Sequence, residues 1–369
     1  MAWIRRAPSG HWQVRYRDPE GAEKVETFRL KGDARSRAAE VEASKLAGRY
    51  RDPRAGRASL ASFWRAWRAR AGASGHPSER TLISYDELWR LYIEPALGSK
   101  RLNAITRADV EQLVASVGAK SAWRAADVLK VTRMILGRAV AAELIATNPA
   151  ARVTPPRIEI SEPRVLTPEE LSRLVDAMPE RWRAFVLLAG YSSLRFSELV
   201  ALRVDRLDLP RRRIRVEAKI TEAGGRLIEG EPKTRQSRRS VAIPEFVAFE
   251  LAEHLRKYPA GPSGLVFTMP GGGPVRRQAF YRRVWKPATA LAKLEGFKVG
   301  QLRHTGASLA IAAGANPLLV AARLGHTNTR MVERHYASLF EGLDREIARN
   351  LEEMHRRRAS ESRRLRPSS

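Results

Sequence analysis

The sequence predicts an α+β fold that is mostly α-helical and divided into several domains. Most of the apolar residues recur at the three- and four-residue spacing of an amphipathic helix. Two short regions, near residues 12–30 and 213–243, instead alternate apolar and polar residues as strands do. A linker with proline and glycine at 52–58 and one with three prolines at 152–164 separate these patterns. A chain of 369 residues is expected to contain two or three domains.

The first domain, predicted over residues 1–55, is a small β-sheet with one helix. Strand alternation is clearest where every second residue is apolar, at Trp12, Val14 and Tyr16. A PEG turn leads to a second strand-like run, VETFRL, and a helical stretch follows with Asp33 as its predicted N-cap. The strands and their ends carry the arginines Arg15, Arg17 and Arg29. These arginines are compatible with a structural subdomain or with a sheet that binds DNA.

A helical bundle is predicted over residues 59–152. Amphipathic stretches begin after residues that suit the N-cap, namely Ser59 or Ser62, Ser78, Thr106 and Ser121. The aromatic residues of the first stretch share one face, which is more typical of a core than of a ligand contact. The basic residues on the opposite faces, including Arg124 and Lys130, are the better candidates for contact with nucleic acid.

The third segment, residues 164–350, combines helices with a few strands. It begins at Thr167 and Pro168, which form a good N-cap and first-turn pair. A run of helices leads to strands with alternating apolar residues and a Gly-Gly turn at 224–225, and helices resume after Pro244. The last residues, 351–369, are basic and poor in apolar side chains, so we expect a tail that is mobile or ordered only by a partner.

The composition excludes several classes of site. The chain has no cysteine, which excludes disulfides, cysteine-based zinc or iron–sulfur sites and a cysteine nucleophile. It has no P-loop sequence, no acidic cluster with metal-ligand spacing and no apolar run long enough to span a membrane, and we do not expect a signal peptide. The net charge is +27, which favours a nucleic acid partner, although an arginine-rich composition of the source genome is an alternative explanation.

Several polar residues in the third segment draw attention, although each alone has an ordinary explanation. One arginine precedes a helical run beside a glutamate, as in a surface ion pair. A lysine lies in a polar turn between strands, a second arginine starts an apolar helix, a histidine follows a helix end, and a tyrosine could belong to a core. These residues are Arg195 with Glu198, Lys233, Arg303, His326 and Tyr336.

Their order and spacing are more specific than any single residue. Arg-x-x-Glu is followed by a lysine on a predicted hairpin, then by LRHT before a helix, then by LGHT, and then by a tyrosine ten residues after that histidine. This pattern resembles that of the tyrosine recombinases, in particular the phage-type integrases. The resemblance is strong over about 166–345. It implies an arm-type DNA-binding domain at 1–55, a helical core-binding (SAM-like) domain at 59–152 and a catalytic domain at 164–350.

The chemistry of phosphodiester cleavage accounts for these residue types. Arginine is planar, always charged and bidentate toward phosphate, so Arg195 and Arg303 are expected to hold the scissile phosphate. A tyrosine hydroxyl has an ordinary pKa of about 10 and must be activated to attack at neutral pH. The resemblance implies that Tyr336 is the nucleophile, that Lys233 is the general acid and that His326 belongs to the site.

The resemblance also suggests supporting residues and the requirements of the reaction. Glu198 resembles the family's acidic residue beside the first arginine and is expected to orient Arg195, although a plain first-turn acid is an alternative. His304 lies where the family also has a histidine, and Arg235 is a further candidate DNA contact. Because a phosphotyrosyl bond conserves the energy of the broken bond, neither ATP, a metal nor another cofactor is implied.

One position departs from the family pattern. The family usually has a histidine three residues before the second arginine, as H-x-x-R, where this chain has Gly300. That imidazole commonly helps to bind the phosphate and to manage the proton of the tyrosine. Its loss is expected to lower the rate by ~10²–10⁴, unless a water molecule or His326 compensates. An intact fold with an impaired or unusual site is therefore predicted.

Two functions remain in competition at this level. The first is a site-specific integrase that forms a 3′-phosphotyrosyl intermediate and a Holliday junction, acts as a tetramer on double-stranded attachment sites, and works with an accessory DNA-bending or directionality factor. It would act on nucleoid DNA in the cytoplasm, without a membrane partner. The second is a DNA-binding protein on an inactive integrase scaffold, which Gly300 favours. The N-terminal sheet argues against a chromosome-dimer resolvase, and the organisation fits a type IB topoisomerase poorly.

Overall fold

The computed structural model describes residues 2–18, 21–47, 55–73, 76–159, 163–231, 237–341, 348–349 and 351–356. The chain divides into two compact units, Met1–Glu159 and Ile160–Ser369. Helices dominate both units and short antiparallel sheets accompany them, so the predicted α+β, mostly α class is confirmed. Within the residues described, no helix has the length and apolar character needed to cross a membrane.

The first unit opens with a three-stranded antiparallel sheet and one helix. The elements are β1 (Trp3–Arg6), β2 (Trp12–Arg17), β3 (Glu23–Phe28) and α1 (Lys31–Leu46), with β2 in the centre of the sheet. Val14 and Tyr16 of β2 are buried with residues of α1, as their alternation predicts. The N-cap of α1 is Leu30, so the predicted N-cap Asp33 is wrong. Asp33 lies instead in the first turn, where a carboxylate suits the helix dipole.

A helical bundle completes the first unit. Its helices are α2 (Leu60–Ala73), α3 (Glu79–Leu88), α4 (Glu94–Leu97), α5 (Arg107–Gly118) and α6 (Ala122–Ala141), and a π-helical turn over Trp89–Ile93 joins α3 to α4. Thr106 and Ser121 cap α5 and α6 with their side chains, as predicted. The predicted aromatic face is core, because Trp64 is buried and stacks on Trp89 with ring centroids 4.6 Å apart.

The second unit has a larger core, to which helices that precede and follow the strands in sequence contribute. Its helices are α7 (Pro168–Ala177), α8 (Glu180–Ser192), α9 (Phe196–Leu199), α10 (Glu245–Lys257), α11 (Arg277–Phe280), α12 (Lys286–Leu291), α13 (Leu302–Ala312), α14 (Pro317–Leu324) and α15 (Arg330–Glu341). Its strands are β4 (Leu207–Asp208), β5 (Arg213–Val216), β6 (Lys219–Ala223), β7 (Arg226–Gly230) and β8 (Arg239–Ala242). Sheets of order β4-β5-β8 and β6-β7 form, and Thr167 caps α7 as predicted.

Close contact between α8 and α13 positions the polar residues of this unit. A Cβ atom at Gly306 would lie 2.7 Å from the carbonyl oxygen of Gly190 and from Oγ of Ser193, so only glycine allows this approach. Ser193 ends α8 with a left-handed backbone, φ 59°. Gly325 ends α14 in the same way, with φ 65°. These two chain reversals place Arg195 and His326 near the first turn of α13.

Candidate active site

Arg195 is held by Glu198 at the start of α9. The backbone N–H of Arg195 donates to Oε2 of Glu198 at 2.9 Å, and its Nη1 donates to Oε1 at 2.8 Å. The Glu198 side chain is only 4% exposed, whereas that of Arg195 is 40% exposed. The predicted pair is therefore more than a surface ion pair, because a buried carboxylate anchors an arginine whose outer part still faces solvent.

Glu198 also accepts two hydrogen bonds from a second arginine, Arg239, at the start of β8. The Nη2 of Arg239 lies 2.9 Å from Oε2 of Glu198, and its Nη1 lies 3.3 Å from Oε1. Burial raises the pKa of the Glu198 carboxyl, but the hydrogen bonds and charges of Arg239 and Arg195 outweigh that effect, so the pKa lies below its ordinary value. Glu198 is therefore ionised at neutral pH.

Arg303 is a half-buried residue in the first turn of α13. Its Nη1 donates to the carbonyl oxygen of Ser193 at 2.8 Å, and its Nη2 donates to the carbonyl oxygen of Leu324 at 2.5 Å. The second bond uses a carbonyl at the end of α14 that has no partner within its own helix. Burial, together with the positive charge of Arg195, lowers the pKa of Arg303 to about 9, so the guanidinium remains protonated near neutral pH.

His326 lies beside Arg303, two residues after Leu324, the last residue of α14. The Nε2 of His326 and the Nη2 of Arg303 are 3.1 Å apart. Arginine can only donate, so Nε2 accepts and the proton of the neutral ring lies on Nδ1. Burial and the charges of Arg303, Arg195 and Arg239 lower the pKa of His326 to about 4. The imidazole is therefore neutral, and its Nδ1 is buried without a hydrogen-bond partner among the described residues.

Tyr336 lies on α15 and is 3% exposed. Its hydroxyl oxygen is 2.7 Å from Nδ1 of His304, and its ring belongs to a small apolar cluster formed with α13 and α14. Burial raises the pKa of Tyr336 to about 12, against the opposite effect of Arg303. When His304 carries its proton on Nε2, the Tyr336 hydroxyl donates to Nδ1, so the imidazole is the neighbouring group suited to accept that proton.

Gly300 occupies a short 3₁₀ turn, Val299–Gln301, directly before α13. The residue is exposed, and a Cβ atom built on it meets no atom within 4 Å among the described residues. The glycine is thus not required by close packing. The position one turn before Arg303 is open, and no side chain of residue 300 fills it.

Other predicted site residues lie elsewhere or outside the described part of the chain. Lys233 and Arg235 both belong to the segment 232–236, which is outside the described residues. Arg15 and Arg17 lie on the sheet face opposite to the buried Val14 and Tyr16, and Arg29 is exposed just after β3. Lys130 is exposed on α6, and Arg124 on the same helix is partly exposed.

Arg239 is the residue that the sequence analysis missed. A signal was present, because Arg239 shares strand parity with the apolar residue Val241 and so points inward from β8. A charged residue at an inward position of a strand is unusual unless it has a partner. The partner, Glu198, is far away in sequence, so the signal could not be interpreted without the fold.

The comparison with known proteins identifies the family. The model of the phage integrase family matches residues 164–342. The integrase of Mycobacterium phage D29 is 30% identical over 308 residues, which cover 80% of this chain and 79% of the phage protein. The chain belongs to the phage integrase family. It is a tyrosine-type site-specific recombinase, as the order of its polar residues predicts.

Further relatives extend the similarity over nearly the whole recombinase. A putative prophage phiRv2 integrase of Mycobacterium tuberculosis is 29% identical over 361 residues, which cover 94% of this chain and 93% of the relative. Among solved structures, the Tn1549 transposon integrase in complex with a circular intermediate DNA has a TM-score of 0.66 at 17% identity, with 75% of this chain and 95% of that chain covered. A lambda integrase tetramer bound to a Holliday junction has a TM-score of 0.58 at 18% identity, with coverages of 90% and 94%. These structures support the fold.

Proposed function

We propose that the recombinase cleaves one DNA strand with Tyr336 while Arg195 and Arg303 hold the scissile phosphate. The observation that carries this proposal is the convergence of two arginines from separate helices beside a buried tyrosine. The Nε and Nη2 of Arg195 make no hydrogen bond among the described residues, and its side chain is 40% exposed. Those groups have the geometry that a phosphate oxygen requires.

The proposed reaction exchanges one phosphate ester for another. The Tyr336 oxygen attacks the phosphorus, the bond to the 5′-oxygen breaks, and a 3′-phosphotyrosyl adduct forms. The hydroxyl proton passes to Nδ1 of His304, which lies 2.7 Å from the Tyr336 oxygen. The resemblance to the family assigns protonation of the leaving 5′-oxygen to Lys233. Attack by the 5′-hydroxyl of a second DNA strand then reverses the chemistry and releases Tyr336.

The same proposal assigns functions to the remaining parts of the chain. We infer an arm-type DNA-binding domain at 1–55, a core-binding domain at 59–152, a catalytic domain at 164–350 and a basic tail at 351–369. The face of the sheet that carries Arg15 and Arg17 would bind arm sites, while Arg124, Lys130 and Arg235 would contact core DNA. Relatives solved with DNA, including a tetramer on a Holliday junction, support assembly of four copies on DNA. An accessory DNA-bending or directionality factor and a place on the nucleoid in the cytoplasm belong to this proposal.

A nicked DNA duplex tests the catalytic proposal. Duplexes that tile the DNA flanking the coding region, each with a nick near the expected cleavage point, lose the short 5′-hydroxyl fragment after cleavage and trap the adduct. We expect a protein–DNA adduct that resists denaturation with the wild-type chain and none with Tyr336→Phe. Tyr336→Phe should bind the duplex that gives the adduct with the same affinity as the wild-type chain. If no duplex gives an adduct while some bind specifically, the catalytic proposal is wrong.

A non-enzymatic DNA-binding function is the second candidate, and Gly300 is the observation that favours it. In that case the duplexes would bind with steep salt dependence, because phosphate contacts release counterions, but would never be cleaved. The family membership and the intact contacts of Arg195, Arg303 and Tyr336 favour the enzyme.

A further inference from the structure

The side chain of Arg239 makes four hydrogen bonds, none of which belongs to the strand pairing of β8. Its side chain is 7% exposed. Two of its nitrogens bind the Glu198 carboxylate, its Nε donates to the carbonyl oxygen of Arg323 at 2.6 Å, and its Nη1 donates to the carbonyl oxygen of Ser237 at 3.1 Å. The planar guanidinium therefore reaches three separate chain segments at once.

The two bonded groups that are distant in sequence, the Glu198 carboxylate and the Arg323 carbonyl, each lie three residues from a proposed site residue. On one side, Glu198 holds both the backbone and the side chain of Arg195. On the other side, Arg323 is the penultimate residue of α14, and its carbonyl is one of those that a helix end leaves without an internal partner. The next carbonyl, that of Leu324, accepts from Arg303. Arg239 and Arg303 thus bind the last two carbonyl groups of α14, just before His326.

The turn that follows α14 is shaped to fit Arg239. Gly325 is left-handed, and a Cβ atom added there would lie 3.2 Å from Nη1 of Arg239. The N–H groups of Gly325 and His326 donate to the carbonyl oxygens of Ala322 and Ala321, which closes the helix end. The position of His326 therefore depends on a helix terminus that Arg239 and Arg303 hold together.

We propose that Arg239 is a positioning residue that couples the placement of Arg195 to that of His326, without touching DNA itself. This inference rests on the proposed function of those two side chains. Lysine is not a substitute, because one ammonium nitrogen on a flexible stem cannot bind a carboxylate in bidentate fashion and also reach a carbonyl on the opposite side. A charge at position 239 is thus insufficient, and the fork of donors is required.

Hydrogen exchange of the DNA-free, full-length protein tests the coupling independently of catalysis. The variants are Arg239→Lys and Arg239→Met, and the matched control is Arg256→Met, which removes an arginine whose side chain is 66% exposed on α10. We expect amides of both 196–200 and 321–326 to exchange about tenfold faster in Arg239→Met, because each segment loses a buried hydrogen bond, and amides of at least one of the two segments to do so in Arg239→Lys. Amides around Leu251 in the core of α10 should keep their wild-type rate, and the control should leave all three regions unchanged.

The result that overturns the proposal is equally specific. Acceleration in only one of the two segments of Arg239→Met shows that Arg239 does not couple them. Equal acceleration around Leu251 shows a general loss of stability and hence a purely structural role. Wild-type exchange in Arg239→Lys shows that charge alone suffices, which contradicts the need for a fork.

A cleavage measurement separates this inference from the proposed function. With the nicked duplex at saturating concentration, we expect Arg239→Lys to lower the single-turnover rate by ~10–100-fold, because misplaced groups lose their orientation, while the Kd for the duplex changes less than about threefold. A loss that appears only in Kd contradicts the positioning role. If the wild-type chain forms no adduct, the catalytic proposal fails, and the exchange measurement still decides whether Arg239 couples the two segments.

Discussion

Replacing Gly300 by histidine is the most informative single change in this recombinase. The position lies in an exposed 3₁₀ turn one helical turn before Arg303, and a Cβ atom there meets no neighbouring atom within 4 Å among the described residues. The backbone of Gly300 has no positive φ, so an L-residue is accommodated without strain. The family resemblance predicts that an imidazole at this position reaches the scissile phosphate beside Arg303.

The expected size of the effect follows from these facts. A single preorganised donor to a developing anionic oxygen contributes about 10²–10³ in rate. Holding an exposed side chain in one rotamer costs about 0.5–1.5 kcal/mol, which lowers that gain by up to about tenfold. We therefore expect Gly300→His to raise the single-turnover cleavage rate by at least ~10-fold and at most ~10³-fold. The unfolding free energy should rise by about 0.4–1 kcal/mol, because glycine loses more backbone freedom on folding.

The control for this experiment is Gly300→Ala. Alanine has the same effect on backbone freedom but offers no imidazole, so it should raise the Tm about as much as histidine does and leave cleavage unchanged. The assay is adduct formation on the nicked duplex under single-turnover conditions, with Tm measured in parallel. Equal cleavage rates for the histidine and alanine variants refute the reasoning, because the missing imidazole would then not limit the reaction.

Further predictions concern other parts of the chain. His326→Gln should lose less unfolding free energy than the wild-type chain when the pH falls from 7.5 to 4.5. The pKa of His326, about 4, lies below its unfolded value, so the stability that the neutral imidazole contributes is present above pH 6.5 and is lost as the pH falls toward 4, by about 1 kcal/mol after discounting for solvent screening. Urea titrations at both pH values measure this loss, and an equal loss in the variant and in the wild-type chain would contradict the prediction. Arg15→Ala should weaken arm-site binding and lower the salt slope by about one, measured by titrating labelled DNA at several salt concentrations. Trp285→Phe removes the indole N–H that donates to the carbonyl of Phe297 at 2.8 Å, so chemical denaturation should show a loss of about 1–3 kcal/mol.

Much of the helical structure was predictable because its signals are local. Thr106, Ser121 and Thr167 each carry a side-chain oxygen directly before an amphipathic run, and each caps its helix in the structure. The failure at Asp33 has the same local origin. An acidic residue suits both the N-cap and the first turn, and the sequence of α1 does not show that Asp33 lies three residues after the N-cap Leu30.

Other elements depend on partners that lie outside their own segment. Strand β1 has the sequence WIRR, which shows no alternation of apolar and polar residues, and it becomes a strand because Trp3–Arg6 pairs with β2. Prediction of the site from the sequence is limited for the same reason, because its residues are held by distant segments. The spacing of Arg303 and His326 indicated a shared site, but the carbonyls of Ser193 and Leu324 that hold Arg303 carry no sequence signal at all.

The charge of the site explains why we expect Gly300 to affect rate more than DNA affinity. Arg195 and Arg239 bind the carboxylate of Glu198, Arg303 lies near enough to interact electrostatically with all three, and the negative end of α14 offsets only part of the remaining positive charge. The mutual repulsion contributes to the lowered pKa values of Arg303 and His326. A phosphate with one negative charge relieves that repulsion as it enters, so phosphate binding is already strongly favoured without an imidazole at residue 300. What the site lacks is therefore a further donor to the negative charge that develops in the transition state, where the neutral His326 supplies no charge of its own.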